Sequence, residues 1–265
     1  MSTFDYLAGL ANNLATLAAT TITPSSEDTN FDADNVGVGW PAKPFKFNAA
    51  GADDTLDFNW GSAKTPTMLS IHGHNIDSGI TSITVLSDDN ASFTSPVTEA
   101  TITFANLASP THYVLMPSYT SHQYMRIKFN GTNGNPISIG EVGAGAKQQL
   151  GATVIGWAPI NTMPQNRQPE GPTAQALATN LSDHPQRSGT VRLLCKSLAD
   201  YREVQTELRV GTAFGEEPLI CIPDPDDDIV LHARVKQDIR WERNGDLYTA
   251  NVFLQEDPFS MALPA

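Results

Sequence analysis

The stretch QYMRIKFNG, residues 123–131, alternates apolar and polar side chains and ends in a turn dipeptide. Because side chains at every second position of a β-strand share a face, Met125, Ile127 and Phe129 predict a face that packs in a core. The residues between them take the opposite face: Tyr124, Arg126 and Lys128. The closing Asn-Gly pair tolerates positive φ, so a turn is expected there.

Outward from this strand, other β-prone runs alternate with polar turn residues between positions 22 and 145. They are LDFNW (56–60), TMLSIHG (67–73), ITSITVLS (80–87), THYVLMPS (111–118) and PISIGEVG (136–143). Short strands separated by turns at nearly regular spacing are typical of a β-sandwich or a jelly roll. The sequence therefore predicts a jelly-roll sandwich over residues 22–145.

The segment before this region, residues 1–21, carries leucines at positions 7, 10, 14 and 17. Spacings of three and four place them on one stripe of a helix, which predicts a short amphipathic N-terminal helix. A secretory signal peptide would need a basic start, and this segment instead has Asp5, Asn12 and Asn13 among its apolar residues. Synthesis in a cytoplasm is the expectation.

The region after the predicted sandwich changes character, because residues 146–188 are rich in Pro, Gly, Asn and Gln. Long irregular segments are uncommon inside compact domains and often serve interactions. Residues 146–188 are therefore predicted to form an extended linker or arm.

The last part of the chain, residues 189–265, predicts a second domain. Its pattern is a strand, a helix at about 199–210 and further strands, given by TVRLLCKSL (190–198), PLICIP (218–223), IVLHARVKQDIRWER (229–243) and DLYTANVFLQE (246–256). Asn244-Gly245 is a strong hairpin signal between the last two. We expect a mainly antiparallel sheet with one helix, which makes the whole chain mainly β.

Charge and composition exclude several classes of protein. The 265 residues hold 16 Lys and Arg against 29 Asp and Glu, a formal charge of -13. Stable nucleic-acid binding needs clustered cations, so it is not expected, and no apolar run approaches the roughly 20 residues that cross a bilayer. The two cysteines, Cys195 and Cys221, lie in apolar runs without metal-type spacing, so buried free thiols are expected.

The first region resembles the discoidin-like, galactose-binding-like jelly rolls of bacteriophage tail proteins. The resemblance rests on the order of ITPSSEDTNFDADNVGVGWPAKPFKF (22–47), MLSIHGHNI (68–76), QYMRIKFNG (123–131) and ISIGEVGAG (137–145). It implies a virion protein of a tailed phage, with the sandwich as a displayed module.

The last third resembles the tail-tube-like, ring-forming part of distal tail and baseplate proteins. The resembling segments are RLLCKSLADYREVQTELR (192–209), LICIP (219–223) and the DPDDD turn (224–228). The resemblance implies a structural protein of the tail tip or baseplate that assembles in the host cytoplasm as a trimeric or hexameric ring with other tail proteins. In many distal tail proteins the ring domain comes first, whereas here the jelly roll precedes it.

A second hypothesis is recognition of host-surface glycans through the jelly-roll loops. Sugars stack their apolar face on aromatic rings, and Trp40 and Tyr119 lie in predicted loops, with His122 as a polar partner. Trp60 and Tyr124 belong to predicted strands and are expected in the core. A glycan-degrading enzyme is a third reading, but no catalytic motif is present, so a non-enzymatic protein is expected.

Acidic clusters raise the question of a metal ion. Asp224, Asp226 and Asp228 lie in one short turn, and carboxylates attract calcium, but the spacing is not that of an EF-hand. The jelly-roll resemblance implies a structural calcium at Asp32 and Asp34 as another place. A solvated acidic turn is the simpler interpretation, and no other cofactor is predicted.

Overall fold

The computed structural model describes residues 6–9, 14–16, 20–37, 44–103, 111–116, 118–145, 152–161, 166–167, 179–180, 187–206, 219–224, 229–235 and 239–256. The chain forms two compact units, one of residues 12–147 and one of residues 1–11 together with 148–265. Every strand pair within the described ranges is antiparallel. The chain is therefore mainly β, as the sequence predicts.

The first ten strands contain all the predicted runs of the sandwich. They are β1 (Tyr6–Gly9), β2 (Thr21–Pro24), β3 (Phe45–Lys46), β4 (Thr55–Lys64), β5 (Met68–His74), β6 (Ile80–Asp88), β7 (Val97–Thr103), β8 (Thr111–Leu115), β9 (His122–Gly131) and β10 (Ser138–Gly145). Single 3-10 turns cover Leu14–Thr16 and Ala33–Gly37. Strand β7, with the sequence VTEATIT, is an addition that the sequence analysis missed.

Two sheets build the unit of residues 12–147. The five-stranded sheet has the order β2-β4-β9-β6-β7, and the four-stranded sheet has the order β3-β10-β5-β8. Apolar side chains from both sheets form one continuous buried cluster. Two antiparallel sheets around one core are a β-sandwich, so the predicted jelly-roll sandwich is confirmed.

The alternation in β9 is confirmed in detail. Met125, Ile127 and Phe129 are fully buried, whereas the side chains between them are only partly covered. Phe129 packs edge-on against Phe47, with ring centroids 6.1 Å apart, and Phe47 packs edge-on against Phe45 at 4.7 Å. This aromatic triad connects β9 to the segment of β3. Edge-to-face contacts of this kind stabilise the core beyond what burial of the rings alone contributes.

The other unit is one seven-stranded sheet with a helix. Its strands after β1 are β11 (Ala152–Asn161), β14 (Arg187–Cys195), β15 (Leu219–Asp224), β16 (Ile229–Val235), β17 (Arg240–Asn244) and β18 (Leu247–Glu256). The order is β1-β15-β16-β18-β14-β11, and β17 also pairs with β18. A separate two-stranded pair consists of β12 (Asn166–Arg167) and β13 (Thr179–Asn180).

The predicted hairpin and helix of this unit are both present. Strands β17 and β18 pair from Asn244↔Leu247 onward, and Gly245 takes a φ of 64° in the turn. Helix α1 (Leu198–Thr206) begins after Ser197, whose Oγ accepts a hydrogen bond from Asp200 N at 3.1 Å as an N-cap.

The Cys195 thiol is free and buried, as the sequence predicts, and burial raises its pKa to about 11. The side chain of Cys221 lies outside the described part.

Two boundary predictions need correction, and the first concerns the N-terminal helix over residues 1–21. Tyr6–Gly9 is strand β1, paired with β15 through Tyr6↔Ile222 and Gly9↔Leu219. A short isolated helix is only marginally stable, and the edge of β15 offers backbone partners that a helix would forgo. Residues from Asn12 onward belong to the sandwich unit, where Ala15 lies in the core.

The second correction concerns the predicted arm, residues 146–188. Its residues Ala152–Asn161 form β11, which pairs with β14 along its length from Ala152↔Cys195 to Asn161↔Arg187. The β-branched residues in ATVIGWAPIN favour a strand, and β14 supplies the hydrogen-bonding partner that the local sequence does not reveal. The segment therefore contributes an edge strand to the sheet of the second unit.

Among the described residues, no helix combines the length and the apolar character needed to cross a bilayer.

Candidate functional site

The outer side of the five-stranded sheet carries polar side chains in register across three strands. Strand β9 places Tyr124 opposite Asn59 of β4 and Asp88 of β6, and Arg126 opposite Asp57 of β4. Tyr124 is half-buried on this outer side, so the prediction that it belongs to the core is wrong. Its alternation with Met125 places it away from the apolar residues.

Arg126 is engaged on both sides. Its Nε and Nη2 atoms donate to Asp57 Oδ1 and Oδ2, each at 2.6 Å, and its guanidinium lies 4.1 Å from the ring centroid of Phe93. The hydrogen bonds that Arg126 donates to Asp57 raise the pKa of Arg126. Two-point pairing and ring stacking fix a guanidinium firmly, so Arg126 is not available to a ligand.

The loop between β6 and β7 is held against this face. Phe93 is buried and takes a φ of 48°, which is unusual for a bulky residue. Asp88 accepts backbone hydrogen bonds from Ser95 N at 3.1 Å and Asn90 N at 3.0 Å, and the bond from Ser95 is the main cause of its lowered pKa. The loop is thus ordered, and its residue Asp89 projects outward with 73% of its side chain exposed.

A compact polar network lies at the same end of the sheet. Ser87 Oγ donates to Glu99 Oε1 at 2.5 Å and lies 2.8 Å from His122 Nδ1. Because the serine proton is given to Glu99, His122 Nδ1 carries a hydrogen and donates to Ser87. The other ring nitrogen, His122 Nε2, lies 4.0 Å from Asp89 Oδ2. Thr120 N completes the network by donating to Glu99 Oε1 at 3.0 Å.

Tyr119 closes this network from the loop before β9. It is only 8% exposed, and its hydroxyl faces Glu99, Trp60 and Ser87. Burial, reinforced by Glu99, raises the pKa of Tyr119, so the hydroxyl stays protonated. The buried Tyr119 Oη and Trp60 Nε1 atoms make no hydrogen bond of normal geometry. Trp60 itself is buried, as its strand position predicts.

An amide pair lies beside His122 on the surface. Gln123 Nε2 donates to Asn59 Oδ1 at 2.9 Å and to Tyr124 Oη at 3.4 Å, and Gly61 N also donates to Asn59 Oδ1 at 2.9 Å. These bonds fix the Asn59 amide while leaving its Nδ2 donors to face outward. We call Asn59, Asp89, His122, Gln123 and Tyr124 the recognition patch.

The structure brings together only part of the site predicted from sequence. Tyr119 and His122 meet through Ser87 and Glu99, although Tyr119 exposes little of its ring. Trp40 lies outside the described residues, so its proposed stacking role stays a prediction. Asn59, Gln123 and Asp89 were missed. The pairing of β4, β6 and β9 brings Asn59 and Asp89 beside His122, whereas Gln123 directly follows His122 in the sequence.

The predicted metal residues are also placed only in part. Asp32 and Asp34 are exposed around a 3-10 turn, where Asp32 Oδ1 accepts from Asp34 N at 2.9 Å. Asp224 ends β15, whereas Asp226 and Asp228 fall outside the described residues. Within the described ranges no three His, Cys, Asp or Glu side chains form a group suited to a metal ion. Calcium binding stays a prediction.

Comparison with known proteins returns solved structures alone: no family model and no curated protein matches this chain. Chitosan-binding module 1 from a chitosanase/glucanase of Paenibacillus sp. IK-5 is 20% identical over 50% of this chain and 97% of that one, with a TM-score of 0.42. The family 32 carbohydrate-binding module of Clostridium perfringens NanJ, solved with galactose, is 17% identical over 52% and 97%, with a TM-score of 0.42. Chitosan-binding module 2 of the Paenibacillus enzyme, solved with chitotriose, is 16% identical over 51% and 100%, with a TM-score of 0.43.

Proposed function

We propose that the jelly-roll unit binds a carbohydrate at the recognition patch. The observation that supports this most is the fixed Asn59–Gln123–Tyr124 arrangement, with His122 next to it on β9. It combines an aromatic ring with amide and imidazole groups on a rigid sheet rather than on a free loop.

The chemistry of the patch suits hydroxyl groups. A sugar hydroxyl both donates and accepts, so it is matched by a patch that offers donors at Asn59 Nδ2 and acceptor oxygens at Asp89. The half-buried ring of Tyr124 provides an apolar surface beside these groups. Because the side chains are already held by mutual hydrogen bonds, little conformational entropy is lost when a ligand binds.

The test is calorimetric titration of the full chain with neutral oligosaccharides, comparing wild type with Asn59→Ala. Asn59→Ala removes the outward donors and the anchor of Gln123, so we expect the Kd to rise about tenfold. The matched control is Asn251→Ala, which truncates an exposed amide in the other unit and should leave the Kd unchanged. A wild-type chain that binds no sugar, or equal affinities in wild type and Asn59→Ala, would contradict the proposal.

A second candidate function is symmetric assembly, as expected of a structural protein in a phage tail tip or baseplate. The observation that favours it is β11, a ten-residue strand at the end of the seven-stranded sheet. Within the described ranges, only β14 pairs with it, so its other edge offers backbone donors and acceptors to a neighbouring copy. Closed rotational symmetry would repeat this contact around a ring.

Assembly is tested by light scattering with negative-stain imaging of the purified chain. We expect threefold or sixfold rings, and Ile155→Pro in β11 should dissociate them, because proline removes an edge donor and obstructs pairing. Val97→Pro at the start of β7, the edge strand of the sandwich, is the control and should leave the rings intact. A strict monomer at all concentrations would argue against ring formation by this chain alone.

A further inference from the structure

Three Asn-Gly dipeptides occur in the chain, at residues 130–131, 133–134 and 244–245. We infer that Asn244 is a site of spontaneous modification, at which the side-chain amide is hydrolysed to a carboxylate, whereas the fold protects the other two asparagines. Two groups react at such a dipeptide: the asparagine side chain and the backbone N–H of the glycine after it. The three sites differ in how the structure engages these two groups.

The reaction passes through a cyclic imide and consumes only water. The backbone nitrogen of Gly245 loses its proton and attacks Cγ of Asn244. As this C–N bond forms, the bond from Cγ to the side-chain nitrogen breaks and releases ammonia, which takes up that proton. Water then opens the five-membered ring at either carbonyl and gives aspartate or isoaspartate. Glycine favours ring closure, because it has no Cβ to crowd the attacking nitrogen and restricts φ least.

Both reacting groups of the third dipeptide are accessible. Asn244 is the last residue of β17 and is exposed, and Gly245 opens the turn to Leu247 with a φ of 64°. Among the contacts of the described residues, none engages the Asn244 side chain or Gly245 N. The turn is held instead through Gly245 O, which accepts a hydrogen bond from Arg243 Nε at 2.8 Å. A Cβ on Gly245 would meet nothing within 4 Å, so the space beside the turn is open.

Asn130, near the end of β9, has both groups engaged. Its Nδ2 donates to Ser82 Oγ at 3.0 Å and to Thr84 Oγ1 at 2.8 Å on the neighbouring strand β6. Gly131 N donates to Asp53 Oδ1 at 3.1 Å. A carboxylate beside this N–H disfavours loss of the proton, because the nitrogen would become negative next to a negative charge. Reaction here requires the end of the sheet to open first.

Asn133 is held by still more bonds and is only 2% exposed. Its Oδ1 accepts from Asp77 N at 2.7 Å. Its Nδ2 donates to Asn75 O at 3.2 Å and to Asn135 O at 2.9 Å. Gly134 N donates to Asp77 Oδ2 at 2.7 Å, so the attacking nitrogen again faces a carboxylate. The sandwich therefore protects two of the three dipeptides, and the exposed hairpin leaves the third one reactive.

Modification of Asn244 changes the hairpin as well as its charge. Strand β17 pairs with β18 through five residue pairs, of which Asn244↔Leu247 is the last before the turn. Isoaspartate routes the backbone through the former side chain and inserts one extra carbon atom, which displaces this pair. The new carboxylate also lies two residues from Glu242 and from Asp246, both exposed, and like charges repel. We therefore expect β17 to loosen from its turn end.

The test follows the three sites by mass spectrometry. The full chain is incubated in mildly alkaline buffer, sampled over days and digested with pepsin in acid, where further deamidation is slow. We expect Asn244 to be converted at least about tenfold faster than Asn130 or Asn133, because those two sites react only after local opening of the fold. Equal rates at the three sites, or a slower rate at Asn244, would overturn the inference.

The same incubation in concentrated guanidinium chloride shows whether the structure causes the difference. All three sites share the Asn-Gly sequence, and unfolding removes the hydrogen bonds of Asn130 and Asn133. We therefore expect the three rates to agree within about threefold in the unfolded chain. An undiminished preference for Asn244 there would place its cause in the local sequence and would also overturn the inference.

Two variants of the folded chain complete the test. Asn244→Gln would need a six-membered ring, which closes slowly, so the acidic species that wild type accumulates on ion-exchange chromatography should be absent. Asp53→Gly removes the acceptor of Gly131 N, and glycine tolerates the φ of 57° that Asp53 takes. It should raise the rate at Asn130 about fivefold. The rate at Asn133 should stay unchanged, which shows that the sandwich remains folded. An unchanged rate at Asn130 in this folded variant would contradict protection by the hydrogen bond.

Discussion

Replacing Gly131 with alanine is expected to lower the free energy of unfolding of the sandwich unit by about 3–5 kcal/mol. Gly131 takes a φ of 119°, a backbone conformation that is nearly exclusive to glycine. A Cβ at this position would also overlap the backbone oxygen of Gly79, where the end of β9 meets the start of β6. The overlap is with backbone, so no side-chain rotation relieves it.

The control for this prediction is Gly245→Ala in the hairpin between β17 and β18. Gly245 also has positive φ, 64°, but a Cβ there has no neighbour within 4 Å. That variant therefore measures the conformational cost alone, about 1–2 kcal/mol. Urea unfolding followed by circular dichroism gives both values. If both variants lowered the free energy of unfolding equally, the close approach of Gly131 to Gly79 would contribute nothing to the cost of the Gly131→Ala substitution.

Phe47→Ala is expected to cost a similar amount, about 3–5 kcal/mol. Phe47 is fully buried and is the central ring of the triad with Phe45 and Phe129, so truncation removes two edge-to-face contacts and leaves a cavity between the sheets. Its backbone N also donates to Ile137 O at 3.0 Å, which ties this segment to the residue that precedes β10. The loss should appear as a lower midpoint in thermal unfolding.

Two comparisons make the Phe47 result specific. Phe47→Leu keeps most of the apolar volume and should cost clearly less than Phe47→Ala, because the cavity is smaller. Leu247→Ala, at a residue that is 43% exposed, should change the midpoint little. If Phe47→Leu were as damaging as Phe47→Ala, ring geometry rather than filled volume would dominate at this position.

Local sequence patterns correctly predict those elements of the fold whose stabilising interactions lie within a few residues of one another. The alternation around Met125 identifies the buried face of β9, and Asn244-Gly245 identifies the hairpin, because both signals lie within a few residues. Strands β1 and β11 were misread since their partners, β15 and β14, lie far along the chain. Neither the leucine spacing near β1 nor the proline content around β11 indicates that a strand far along the chain will pair with the segment.

The same limit applies to the candidate site. His122 and Tyr119 are close in sequence and could be paired as candidates from their spacing. Asn59 joins them only through the register Asn59↔Tyr124, and Asp89 only through the turn after β6. Predicting the patch would have required the order β4-β9-β6 in advance, which no single stretch of the chain encodes.

The pairing of β1 with β15 has a consequence for how the chain acquires its structure during synthesis. Residues 12–147 are continuous in sequence, so the sandwich can fold as soon as they have left the ribosome. Strand β1 is synthesised before the sandwich but must wait for Leu219–Asp224, and the sheet that it joins also needs β18. The second unit is therefore completed after the sandwich has folded, and β1 stays without its partner strand through the synthesis of more than 200 residues.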